Sequence, residues 1–461
     1  MPNESRVVAA IDFGTTFSGF ACALRSDKKS LFTNYSWPGS MTAPYAKTLT
    51  ALKYDTEVKV GHEERVQESQ APAEWGWRAF EASKESASKG YCHRFKLHIA
   101  PNRRADQLVP LEPGVTPEKA ISDYLRLIGK MAEDLVKDKT GYDKADIQWC
   151  LTVPAIWDEN AKSIMKKAGK KAGLWRDPEV PGEGSPFPPI VVLEPEAAAF
   201  YCSSSSVEHG EFKIEKNDCV LIVDAGGGTV DLVAHRVDSE DAKSFREITQ
   251  GSGAMCGGTS VDDRFVKHLQ STIHGAKDLL RTHPQGSKMQ GRIMMHWEAG
   301  KKNFDGTRDL LLDLPSNLEN IWEQELRERG ETQQADELDG FRISVESMKF
   351  IFDPVVDQIL SLIQDQLNEI ERRTNTQAKV MYLVGGFSES AYLRQRVKRR
   401  FNRAVQHIYH PPNPGSAIVL VLPLAAPQMH PMTNLTPMTN KGQDFPPITG
   451  KVPGFSPITG K

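Results

Sequence analysis

The chain has 461 residues, 57 Lys plus Arg against 60 Asp plus Glu, and a formal net charge of -3. It is too long for one hydrophobic core and carries no overall basic field to gather nucleic acid or an acidic membrane. Six scattered cysteines without a CxxC pair exclude a small disulfide framework. The longest apolar stretch, "AIVLVLPLAA" at 417–426, falls short of the about 20 residues a bilayer span needs, and the N-terminus has no signal-like run. A soluble, cytoplasmic protein is expected, with neither nucleic acid nor membrane as partner.

The first predicted element is the strand "VVAAI" at 7–11, which runs into Asp12, the turn "FGTT" and a second apolar run. Further Val-, Ile- and Leu-rich runs stand at 149–153, 190–193, 220–223 and 380–384, several followed by helical patterns, and this alternation predicts an α/β fold. Periodicity fades in "SSSSVEHGEFKIEKND" at 203–218, which marks a boundary between units at 1–212 and 213–417. Then "VLIVDAGGGTVDLVAHRV" at 220–237 repeats the layout of "VVAAIDFGTTFSGFACAL" at 7–24: apolar strand, Asp, glycine-bearing turn, Thr, second strand. Asp12 and Asp224 lie a domain's length apart, so two similar lobes facing each other are expected.

Downstream, "RDLLLDLP" at 308–315 reads as a strand of the second lobe. In "FDPVVDQILSLIQDQLNEIERR", Asp353 is a plausible N-cap, Pro354 suits the first helical position, and Val356, Ile359, Ile363, Leu367 and Ile370 form a core stripe. The basic run "LRQRVKRRFNRAV" reads as a solvated helix face, and His407 and His410 have no companions for a zinc site. Pro423 is expected to break any helix after Gly415. Residues 418–461 turn repetitive, with "PMTN" twice and "PPITGK" followed by "SPITGK", and are expected to form a disordered tail.

Each internal glycine costs a strand roughly 0.5 to 1 kcal/mol relative to alanine, so Gly226, Gly227 and Gly228 need a compensating role. They remove every Cβ from one side of the turn and let backbone N-H groups converge on an anion, for which phosphate is the natural guest. Thr229 adds a hydroxyl. Asp224 and Asp231 make sense beside phosphate only with a divalent cation between, usually hydrated Mg²⁺. Asp12, Gly14, Thr15 and Thr16 repeat the logic, and together the two turns would grip a nucleotide tail. Gly385 and Gly386 in "VMYLVGGFSES" suit either a flat base or ribose or merely close helix-strand packing.

In these residues the chain resembles the nucleotide-binding domain of the 70-kDa heat-shock proteins, within the actin, hexokinase and heat-shock ATPase superfamily. "IDFGTTFSG" and "VDAGGGTVDL" resemble its two phosphate motifs, "LEPEAAAFYC" its first connecting motif, "LTVPAIWDENAK" the segment before that motif turns helical, and "LVGGFSES" its adenosine motif, in the family's order over about residues 6–416. The spellings look closest to the divergent 12A-like branch. The resemblance implies a two-lobed actin-like fold, duplicated ribonuclease H-like lobes around a nucleotide cleft, binding ATP or ADP with Mg²⁺. It puts hydrated Mg²⁺ on Asp12 and Asp224, the phosphates on the glycine turns, Gly257 and Gly258 against the nucleotide, and Glu298, Lys301 and Lys302 beside ribose and base. It assigns Glu194 to the attacking water and Lys96 to the transferring phosphate. Read structurally, Glu194 need only favour a helix dipole, Lys96 need only be a surface lysine, and the Glu298–Lys302 group is an ordinary solvated cluster.

Two departures stand out. Gly415 replaces the family's usual Asp, and the residues after 418 do not alternate like the strands of a peptide-binding sandwich, so the expectation is a nucleotide switch without that domain, or a C-terminus that is spliced or truncated. The function expected is a slow, chaperone-like ATPase with client proteins or co-chaperones as partners. The alternatives are a sugar or small-molecule kinase of the same fold and a nucleotide-gated module that scarcely hydrolyses.

Overall fold

The structure, a computed structural model, describes residues 4–40, 45–55, 59–60, 63–64, 70–85, 89–101, 103, 108–209, 212–239, 245–277, 288–336 and 339–425. Strands β1 (Val7–Asp12) and β2 (Phe17–Leu24) form an antiparallel hairpin that pairs Asp12 with Gly19. A six-stranded sheet grows around it from β3 (Asp27–Thr33), β4 (Lys47–Leu49), β5 (Ile147–Val153) and β6 (Ile190–Leu193), in the order β6-β5-β1-β2-β3 with β4 also on β2. A second six-stranded sheet contains β7 (Cys219–Ala225), β8 (Val230–Val237), β9 (Phe245–Glu247), β10 (Ser252–Ala254), β11 (Val380–Val384) and β12 (His407–Tyr409), in the order β9-β8-β7-β11-β12 with β10 on β8.

The two sheets share one plan. In each, a hairpin's first strand is flanked by two further strands parallel to it: β5 and β6 beside β1, β11 and β12 beside β7. Such strands are covered on both faces, which is why β1 and β7 are buried along their whole length and read as continuous apolar runs. The internal echo of the sequence is therefore an echo of topology.

The helices that cover these sheets and frame the space between them are α1 (Gly76–Glu85), α2 (Pro117–Thr140), α3 (Glu159–Lys171), α4 (Glu194–His209), α5 (Gly258–Thr272), α6 (Lys288–Asn303), α7 (Val345–Thr374), α8 (Ala391–Phe401) and α9 (Ala417–Ala425). α4 and α9 join the sheets. Ala197, Ala198 and Cys202 from α4 and Ala417 and Ile418 from α9 share one buried cluster with Val8 and Ile190 of the first sheet and Val220 and Val380 of the second. The other face of the second sheet packs on α5, α6, α7 and α8 in a larger core.

Three sequence expectations need correction. The loss of pattern from 203 onward is not a loss of helix at once, because α4 runs on to His209 within the segment at 203–218. α7 begins at Val345 behind the N-cap Ser344, and Pro354 lies inside it. Proline offers no N-H to the carbonyl one turn earlier, and Arg264 takes up the slack, donating to Phe350 O at 2.7 Å and Ile351 O at 2.8 Å. Nor does Pro423 stop α9, which runs to Ala425. Of the tail expected at 418–461, residues 418–425 are instead part of α9, and residues 426–461 lie outside the described residues.

The run at 308–315 contributes the strand Leu310–Leu312, paired with Phe341–Ile343 in a separate two-stranded sheet. The six cysteines are free and buried. No helix among the described residues is long and apolar enough to cross a membrane.

Candidate functional site

The ends of β1 and β7 bring the two glycine turns face to face. A Cβ built on Gly227 would lie 2.4 Å from Thr16 Oγ1, and one on Gly228 would lie 2.6 Å from Thr15 Oγ1. Bare glycine backbone is what lets the turns touch. Thr16 Oγ1 is buried there with no hydrogen-bond partner. The second turn is braced from behind by the start of α5: Gly258 N donates to Gly226 O at 3.1 Å, Thr259 N to Gly227 O at 2.8 Å and Gly257 N to Gly228 O at 3.2 Å.

These turns floor a cleft of about 630 Å³. The residues singled out from sequence converge on it: Asp12, Gly14, Thr15 and Thr16 from the first hairpin, Asp224, Gly226, Gly227, Gly228 and Thr229 from the second, Lys96 and Glu194 between them, and Gly258, Glu298, Lys301, Lys302, Gly385 and Gly386 from the helical side. Gly257 stands just behind, as the N-cap of α5. Asp231 does not line the cleft. It is paired across the hairpin with Asp224 and accepts from Ile156 N at 3.2 Å, so it braces the turn.

Glu194 opens α4, with Pro195 next, so the helix start carries it into the cleft wall. Lys96, from the short 3-10 turn Phe95–Ile99, meets it at 2.7 Å, and both side chains are buried. Burial pushes the Glu194 carboxyl up; Lys96 opposes this, the charges of Asp12 and Asp231 add to it, and the group settles at about 7. Asp224 is driven well above the carboxylate range, by burial first and then by Glu194, Asp231 and Asp12. Burial, reinforced by repulsion among these acids, raises both carboxyls.

A second cation, besides Lys96, opposes that repulsion. Lys47 Nζ lies 2.6 Å from Asp12 Oδ2, while Thr152 Oγ1 donates to Asp12 Oδ1 at 3.2 Å. Burial pulls the Lys47 ammonium down, but Asp12, Tyr45 and Asp224 together more than offset it and the net shift is upward. Sequence reasoning missed Lys47, because nothing in a three-residue strand announces which residue it will reach. Among the described residues no group of three or more His, Cys, Asp or Glu is arranged to hold a metal ion.

At the helical end the charges are already partnered: Lys301 meets Asp262 at 2.8 Å and Glu298 at 2.6 Å, and Lys302 meets Glu389 at 2.8 Å. Gly385, at φ +84°, is required by close packing, since a Cβ would fall 2.3 Å from Asp224 Oδ1, whereas Gly386 has open space beside it. Gly415 serves contact as well: a Cβ there would come within 2.4 Å of the Tyr45 hydroxyl. Phe17, Tyr45 and Trp77 form an aromatic wall, with Phe17 at 6.2 Å from each of the other two rings. Of the two histidines weighed from sequence, His407 stacks on Phe212 at 4.8 Å, while His410 lines the cleft beside Arg394.

Residues 214–409 match a family described as a domain of unknown function (DUF8340). Heat shock 70 kDa protein 12A of Mus musculus is 26% identical over 460 residues, covering 86% of this chain and 66% of the relative, and the Homo sapiens 12A protein matches with the same figures. Heat shock 70 kDa protein 12B of Homo sapiens is 25% identical over 482 residues, covering 90% of this chain and 67% of the relative. The chain thus spans about two thirds of the length of the relatives it matches. Over most of its length the chain is similar to the atypical 12A/12B branch of the heat shock 70 proteins, and its paired α/β sheets are consistent with the actin-like ATPase superfamily.

Proposed function

We propose that the cleft binds a nucleoside triphosphate, ATP, between lobes at 1–212 and 213–417, and that binding and slow hydrolysis switch the relation of those lobes. The observation that carries this reading is the direct contact of two Asp-Gly-Thr turns at the cleft floor, Gly227 against Thr16 and Gly228 against Thr15. Bare glycine backbone at the turns and the unpartnered Thr16 hydroxyl suit phosphate oxygens. The similarity to heat shock 70 proteins points the same way.

In hydrolysis, Glu194 accepts the proton of a water whose oxygen bonds to the γ-phosphorus as the bond to the leaving diphosphate breaks. Lys96 turns its ammonium from Glu194 to the developing charge on the transferred group. Positioning and electrostatics supply nearly all of the catalysis in such a transfer. Hydrated Mg²⁺ on Asp12 and Asp224 is the expectation from sequence. Asp12, however, already holds Lys47 at 2.6 Å, so this donor set does not fit a divalent ion as it stands, and no step of the reaction runs through one.

A nucleotide-gated module is the second reading, favoured by the Lys96–Glu194 ion pair, which engages the carboxylate assigned here to activate water. The test is ATP titration of the full chain by calorimetry together with phosphate release from wild type and Glu194→Gln. Binding with Glu194-dependent release supports the switch ATPase, binding without release supports the module, and no binding rejects both.

A further inference from the structure

Asp12, Gly19 and Lys47 stand in one row across three strands. Asp12 pairs with Gly19 between β1 and β2, and Gly19 pairs with Lys47 between β2 and β4. The middle member has no side chain, and that vacancy is used: a Cβ on Gly19 would come 2.9 Å from Lys47 Cγ. The lysine stem lies across β2 in the glycine's place and delivers Nζ to Asp12 Oδ2 at 2.6 Å. Both side chains are nearly buried, and both line the cleft.

A lysine fixed this way is a compact unit charge with three N-H donors. It meets Asp12 as an ion pair, with no hydrogen bond made to Oδ2, which leaves donors for phosphate oxygens entering between the two turns. A divalent ion seeking the same carboxylate would meet this ammonium at close range, where repulsion between cations in a buried site is strong.

Resting on the nucleotide reading above, we infer that Lys47 is the resident cation of the phosphate end: it neutralises Asp12, contacts the triphosphate itself, and makes nucleotide binding independent of Mg²⁺.

The full chain is titrated with ATP by calorimetry in excess Mg²⁺ and in excess EDTA, and Mn²⁺ binding without nucleotide is followed by electron paramagnetic resonance. For wild type the dissociation constant is expected to change by less than about threefold between the two buffers, well under the roughly 1.4 kcal/mol of a tenfold effect, and added Mn²⁺ stays in solution. Lys47→Met keeps the stem and removes the charge; it is expected to lose about tenfold or more in EDTA and to take up Mn²⁺. A wild-type protein that binds ATP only with Mg²⁺, or that holds Mn²⁺ on its own, overturns the inference and leaves the nucleotide reading standing. ATP that binds in neither buffer overturns both. The wild-type measurements decide the matter even where Lys47→Met fails to fold, and a folded variant that binds ATP in EDTA as wild type does also overturns it.

Discussion

Gly227 lies against Thr16, with room for a hydrogen and none for a methyl: the Cβ would sit 2.4 Å from Oγ1 and 3.2 Å from the threonine Cβ. Two segments far apart in sequence have thus been fitted to one another at the point where both sheets end. Gly227→Ala is expected to cost about 1–3 kcal/mol, the usual range for overpacking, read by chemical denaturation. Thr16→Ala removes the nearer of the two clashing atoms, so the double variant should recover part of the loss, a coupling that a double-mutant cycle detects. ATP affinity should stay low in the double variant, because the new methyl still covers the turn. A Gly227→Ala protein as stable as wild type would refute the contact.

Glu194 and Lys96 set the pH dependence of turnover. The Glu194 carboxyl is held at about 7, above its ordinary 4.5, with burial as the main cause. A base must be ionised, so phosphate release should rise with pH through about 7 and level off above it. Glu194→Gln should lose that limb and about 10²–10⁴ of the rate, with ATP affinity little changed. Lys96 acts to lower the Glu194 value, so Lys96→Met should move the limb to higher pH as well as slow the reaction. An unmoved limb in Lys96→Met would show that some other group titrates.

Strands are legible in the sequence where burial is two-sided, since 7–11, 149–153, 190–193, 220–223 and 380–384 each fall on an observed strand. The glycine turns are legible too, because a triple glycine after a strand is costly unless something uses it. What sequence does not supply is register. Lys47 reaches Asp12 only because Gly19 is the common neighbour of both, and Asp231, read as facing a cation, accepts from Ile156 N instead. The start of α7 is misplaced for a related reason. Pro354 obeys a local rule that favours a helix N-terminus, and a distant side chain, Arg264, makes the exception tolerable.

His235 should govern part of the acid sensitivity. It is buried in β8, and burial pulls its imidazole down to about 4 from 6.5. The folded form therefore resists protonation that the unfolded chain accepts. Its contribution to stability is complete above pH 6.5 and is lost as the pH falls through about 4. By linkage the loss is on the order of 3 kcal/mol. His235→Phe should flatten the fall in Tm between those two pH values while leaving ATP affinity at neutral pH unchanged. An unaltered pH profile would assign the acid transition to other groups.

α9 returns from the second sheet to the first despite carrying a proline, and Val419 shows why. Its side chain is fully buried against Ala21 of β2 and Ala46, while Leu420 packs on the same cluster. Proline within a helix costs about 3 kcal/mol, and burying a Val or Leu side chain yields about 1.5–3 kcal/mol each, so a few such contacts offset the broken hydrogen bond. The helix is thereby a tie between sheets as well as a wall, since Ile418 beside Val419 lines the cleft. Val419→Asp places a carboxylate in that apolar contact without a partner and should cost at least about 3 kcal/mol. Val419→Ile, which keeps the apolar contact, should stay within about 1.5 kcal/mol. If the helix only covers the first sheet, Val419→Asp will lower Tm and leave ATP affinity intact at temperatures where the protein stays folded. If it ties the sheets together, as its shared contacts indicate, affinity will fall with stability, because the two turns will no longer be held against one another.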